Sequence, residues 1–282
     1  MWLKHQKFQE FIAPIWELSS GSALEKSYAL VEPLKQWNRS VFGHIKQKKA
    51  RILARLAGIQ KALCQGPNDS LNKLETVLIE EFNGILDQEA IFWHQKSRVK
   101  WLQEGDRNTK FFHMSTIIRR RKNKIDRLKN DAGVWVDEAE DIKYLAMNYF
   151  TDLFSPAHVP TSRSATPNLF PCIDPGQLAS LVTTVDLEEI KVSLFSIGGI
   201  KAPGRDGFPA CFYQKHWNFC ANDIFKLVDR GFKECRIPEG LNSTLITLVP
   251  KVDNPTSMSQ FRPISLCCTL YKVISKILVA RL

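Results

Sequence analysis

Apolar residues recur through residues 24–63 at Leu30, Leu34, Trp37, Val41, Ile45, Ile52, Leu56, Ile59 and Leu63. Steps of three, four and seven place them on one stripe of a helix, so the spacing predicts one long amphipathic helix here. Gly66-Pro67-Asn68-Asp69 breaks it, and Asp69 or Ser70 stands ready to cap the next helix. A second stripe then runs Leu71, Leu74, Leu78, Phe82 and Ile85. Two such helices joined by a short turn pack as an antiparallel hairpin, a scaffold whose stripes are packing surface.

Downstream patterning is more mixed. Residues 129–133 read as a turn, Val134-Trp135-Val136 as a short strand, and Asp137 as the cap of a helix through Phe150. Residues 155–183 hold five prolines among Ser and Thr, the composition of a linker. Asp186-Leu187-Glu188-Glu189 resembles a capping box that opens a helix to Phe195. A Gly-rich loop (198–207) precedes a helix over 209–232. Thr244–Val249 reads as a buried strand, and Thr269–Leu282 as an amphipathic helix. The fold class expected is α+β, mostly α: a long antiparallel helical hairpin, then a smaller mixed region.

Of 282 residues, 44% are hydrophobic and 24% charged, the balance of a folded chain rather than a disordered or fibrous one. No apolar run nears the ~20 residues of a membrane span. The start, MWLKHQKFQEF, has neither an apolar signal core nor a cleavage site. Nucleus or cytoplasm is therefore the expected location. Seven cysteines, an odd number without a CxxC pair, argue against a disulfide framework or zinc site and for buried reduced thiols.

The net charge of +10 is concentrated. Residues 96–129 carry twelve basic side chains against three acidic ones, so nearly the whole excess lies in about an eighth of the chain. Trp93, His94, Trp101, Phe111, Phe112 and His113 are interleaved with it. Cations neutralise phosphates and release counterions, and aromatic rings offer stacking faces to unpaired bases. Arg107, Lys110, Arg119, Arg120, Arg121, Lys122 and Lys124 are thus candidate contacts to RNA or DNA. A solvated basic face or a nuclear-import signal has the same composition.

Three segments go beyond pattern: Trp101 to His113 (WLQEGDRNTKFFH), Lys201 to Phe208 (KAPGRDGF), and Leu245 to Leu282 with LITLVPK, FRPISL and YKVISKIL. In this order and spacing they resemble the reverse transcriptase of plant non-LTR (LINE-type) retrotransposons, over nearly the whole chain. The resemblance implies a helical connector with its basic stretch at 1–154, a linker at 155–183, and a partial reverse transcriptase domain (fingers) at 184–282. It implies an RNA-directed DNA polymerase fragment that partners RNA or DNA. Lys251 and Arg262 match the family's triphosphate-contacting pair, the Lys a point charge and the Arg a bidentate fork. Lys201 and Arg205 of the Gly-rich loop would contact the template backbone, with Gly204 and Gly207 shaping the turn. Arg205 and Gln260 depart from the family pattern, where Pro or Thr and Asp are usual; both fit relaxed selection on a decaying copy.

Nucleotidyl transfer uses two metal ions held by carboxylates. In this family the ligands are one Asp on a palm strand and an Asp-Asp pair on a later hairpin. The chain has no Asp-Asp pair, and its last Asp is Asp253, in the fingers loop. No catalytic or metal-ligating residue is expected in it, and Mg2+ only in the full-length family enzyme. The fragment is expected to be inactive alone while retaining affinity for RNA or DNA. The alternative is a captured helical module that binds nucleic acid or protein without an enzymatic role.

Overall fold

The computed structural model describes residues 2–97, 108–155, 176, 181 and 183–282. Four helices open the chain: α1 (Phe8–Leu18), α2 (Ala23–Val41), α3 (Ile45–Leu63) and α4 (Asp69–Ser97). Ser22 and Glu25 form a capping box at the start of α2, satisfying two backbone N–H groups that a helix end otherwise orphans. The stripe expected to form one helix is two. Helix α2 stops because Phe42 and Gly43 both donate to the Asn38 carbonyl, and Gly43 turns left-handed (φ +58°), a conformation glycine adopts without steric cost.

Helices α3 and α4 do form the expected hairpin, around Ile52, Leu56, Ile59, Leu78 and Ile85. Its second helix is capped by Asn68 rather than by Asp69 or Ser70. The Asn68 Oδ1 accepts from the backbone N–H groups of Ser70 (3.0 Å) and Leu71 (3.2 Å). Helix α5 (Thr109–Asn123) lies on α4, with Phe112 buried between them.

Strands β1 (Leu128–Lys129) and β2 (Trp135–Val136) pair antiparallel across a turn closed by Asn130 and Gly133. Helix α6 (Ala139–Phe154) comes next, and its entry shows no side-chain cap, so Asp137 does not play that role. The residue before the helix is Glu138, in extended backbone. The expected linker lies, apart from Ser155, Gly176, Leu181 and Thr183, outside the described residues.

Beyond it, Asp186 caps α7 (Leu187–Phe195) as expected, its Oδ1 accepting from the Glu189 N–H at 2.7 Å. The helix expected over 209–232 is broken at His216 into α8 (Ala210–Lys215) and α9 (Trp217–Lys233). Strands β3 (Leu245–Pro250) and β4 (Phe261–Leu266) make an antiparallel hairpin with Val249 opposite Arg262. Strand β3 is not buried as expected. A two-stranded ribbon covers only part of its faces, and Leu245 and Ile246 each keep 47% of their surface exposed. Helix α10 (Thr269–Arg281) closes the fold, and Arg281 binds Glu189 of α7 through two 2.7 Å contacts.

The architecture is therefore mostly helical with short antiparallel strands, the α+β class expected. Its largest core gathers both ends of the sequence: Phe8, Ile12 and Trp16 of α1 and Leu30 and Leu34 of α2 pack with Ile190, Ile224, Leu270 and Ile277. The Trp16 indole donates to Asp223 at 2.8 Å, and Lys26 pairs with the same carboxylate at 3.0 Å. A smaller core joins Leu128 and Phe150 to Met258 and Phe261, seating β1 and α6 on the β3–β4 hairpin. Among the described residues no helix is long and apolar enough to cross a membrane. The described cysteines are unbridged, but only Cys220 and Cys268 are buried. Cys64 and Cys235 are exposed at the ends of α3 and α9, where the chain turns away from the core.

Candidate nucleic-acid interface

Helix α5 carries five of the candidate cations, Lys110, Arg119, Arg120, Arg121 and Lys122, and Lys124 lies just past its end. Arg107 lies outside the described residues. Helical spacing turns Arg119 and Arg120 to one side and Arg121 and Lys122 to another. Arg119 and Arg120 face a cleft of about 340 Å3 that also takes in Phe92 and Lys96 of α4 and Lys201 of the Gly-rich loop. Arg121, Lys122 and Lys124 line a second cleft, of about 630 Å3, against Arg127, Trp135 and the β3–β4 loop. Lys110 is exposed at the start of α5 and lines neither.

The first cleft is cationic by construction. Lys96 lies 4.0 Å from the Phe92 ring centroid, and partial burial, then the Arg120 charge, pull its pKa below the ordinary lysine value. Like charges held together at a concave surface lose repulsion when an anion enters between them. Arg119 has a second task. Its Nη1 donates to the Ser97 carbonyl at 2.5 Å and its Nη2 to the Lys96 carbonyl, tying α5 to the last residues of α4.

The interleaved aromatics are mostly not stacking platforms. Phe112 is buried with its ring edge on His94 (5.0 Å), and Trp93 meets His113 at 4.2 Å, so these rings zip α4 to α5. Phe111 stays exposed, and Trp101 lies outside the described residues. Among the described residues a further exposed ring set among cations is Trp135, read from sequence only as part of a strand. Arg127 lies 4.5 Å and Lys129 5.1 Å from its centroid. The signal available was the turn: a five-residue connection puts Lys129 directly opposite Trp135.

In the Gly-rich loop, Lys201 and Arg205 are exposed. Gly204 is buried. A Cβ there would sit 2.2 Å from the Cys268 nitrogen, so this glycine lets the loop lie against the backbone that starts α10. Gly207 (φ +78°) shapes the turn, as expected. Between them Asp206 is buried, its Oδ2 accepting from the Tyr213 hydroxyl at 3.3 Å. Burial raises its pKa to about 6, opposed by that hydroxyl, by backbone N–H groups and by Lys272.

Lys251 and Arg262 stand at the loop end of the β3–β4 hairpin. The Lys251 N–H donates to the Gln260 carbonyl at 2.8 Å, which extends the ladder by one pair and puts Lys251 on the same face as the Val249–Arg262 pair. Both side chains are exposed, and the Lys251 ammonium donates to the Ser259 carbonyl at 2.7 Å. Gln260 accepts from the Thr256 N–H through its side chain and so closes the loop. Neither cation lines the two clefts. Among the described residues no three His, Cys, Asp or Glu side chains gather as a metal ion requires.

No protein-family model matches the chain. Over 190 residues, 66% of its length, it is 27% identical to the "Transposon TX1 uncharacterized 149 kDa protein" of Xenopus laevis, of which it covers 14%. The chain thus spans about a seventh of that relative, and its distant similarity is to a transposon protein.

Proposed function

We propose that the chain is part of the RNA-directed DNA polymerase of a LINE-type retrotransposon and that its own role is to hold RNA or DNA. The observation that carries this is the cleft in which Lys96, Arg119 and Arg120 converge with Lys201, which is 81 to 105 residues away in sequence. Similarity to a transposon protein supports the origin, and the order of the three motif segments supports the family. In this reading the basic clefts track a phosphate backbone, while Lys251 and Arg262 meet an incoming triphosphate on one face of the fingers hairpin. Residues 1–154 serve as connector and 184–282 as fingers.

Charge reversal tests it. R120E with K201E should weaken binding of a 30-nucleotide RNA at least tenfold at low salt, by fluorescence anisotropy. K233E, at a position lining neither cleft, should leave it within twofold. Equal effects of the two changes would reduce the cleft to a share of the general positive field.

A further inference from the structure

The β1–β2 ribbon has two unlike faces. Leu128 and Val136 pair on the side that packs against Phe150 and Phe261, with Leu128 fully buried. Lys129 and Trp135 pair on the other side, and Trp135 keeps 44% of its surface exposed. The indole thus offers a large, rigid and half-open aromatic surface at the end of the ribbon. Around it the second cleft collects Arg121, Lys122, Lys124 and Arg127 against Asp126 and Asp253. Lys122 pairs with Asp253 at 2.9 Å and Lys124 with Asp126, which leaves Arg121 and Arg127 in excess. Arg127 lies 4.5 Å from the indole centroid, so a cation already sits over part of this ring.

A rigid aromatic face beside guanidinium groups at the mouth of a cleft matches one ligand chemistry: a base with a free face, flanked by phosphates. A duplex presents phosphates but hides its base faces in its own stack. We propose that this cleft is a single-strand site, in which an unpaired base stacks on Trp135 while flanking phosphates pair with Arg121 and Arg127. This rests on the nucleic-acid reading above and adds a preference for single strands, set by a residue outside the basic helix.

The test uses a 12-nucleotide oligouridylate, the matching oligothymidylate and a 12-base-pair RNA duplex, with the full chain and its W135A and W135F variants. W135A should lose about tenfold in affinity for the oligouridylate, the scale of one stacked base, and keep its duplex affinity and salt dependence. W135F, which retains a ring, should recover most of the loss. Loss for both oligonucleotides assigns the site to any single strand, and loss for the oligouridylate alone assigns it to RNA. As a readout independent of the alanine variant's folding, saturating oligouridylate should quench the part of the indole emission that W135F lacks. Equal weakening of single strand and duplex, no weakening, or an unquenched Trp135 overturns the proposal while the broader reading stands. Failure of all three probes to bind overturns both.

Discussion

Arg119 reaches from the last turns of α5 to the carbonyl of Ser97 at the end of α4, an Nη1 contact of 2.5 Å, and its second nitrogen takes the Lys96 carbonyl. Among the described residues its neighbour Arg120 shows no such tie, and it stays exposed. Two adjacent arginines in one basic run therefore have separable tasks. R119A should cost about 2 kcal/mol of stability, the scale of a charge-assisted hydrogen bond lost from a helix end, whereas R120A should cost under about 0.5 kcal/mol. Urea denaturation separates them, and RNA affinity should fall for R120A at unchanged stability. Equal midpoints for both variants would contradict the division.

Gly204 and Gly207 also differ. At Gly204 a side chain meets the Cys268 backbone, which cannot move without shifting the start of α10. At Gly207 nothing lies within 4 Å and the penalty is the left-handed backbone alone. G204A should cost about 3 kcal/mol or more, as overpacking against backbone does. G207A should cost about 1 kcal/mol, the penalty of a left-handed non-glycine residue. Thermal or urea unfolding of the two variants checks the order.

Two buried groups pull stability in opposite directions with pH. His216 sits among Phe8, Phe212 and Phe219, where burial and then Lys215 lower its pKa to about 4, from 6.5. The unfolded chain takes up that proton first, so the His216 contribution is intact above pH 6.5 and is lost as pH falls toward 4. Asp206 is raised from 3.8 to about 6, so its penalty is absent below 3.8 and grows as pH rises through 6. Relative to the parent chain, D206N should gain stability as pH rises across that window, and H216F should gain as pH falls from 6.5. Urea midpoints at pH 4.5, 5.5 and 6.5 read the two slopes, and parallel curves for all three proteins would remove both groups from the account.

Elements with a local cause were legible in the sequence. The α3–α4 hairpin arises from two stripes and a Gly-Pro break, and the Asp186 cap from its spacing to Glu189. Failures came where the cause is non-local or where the period hides a break. The repeat from Leu30 to Leu63 stays nearly in phase across Gly43, so periodicity alone joined α2 to α3. His216 interrupts an apolar helical pattern because its backbone turns inside an aromatic cluster that includes Phe8, more than 200 residues away in sequence. Composition identified the basic stretch but could not divide its cations between two clefts, nor distinguish Phe112, buried against α4, from the exposed Trp135.

The central claim is that the concentrated positive charge engages a phosphate backbone, and salt reads this most directly. The affinity of the chain for a 30-nucleotide single-stranded RNA should be measured from 50 to 200 mM salt. Contact with about six phosphates gives a log–log slope near −4, a fall of two to three decades over that range. Absence of binding at the lowest salt, or an affinity that does not change with salt, would contradict the account.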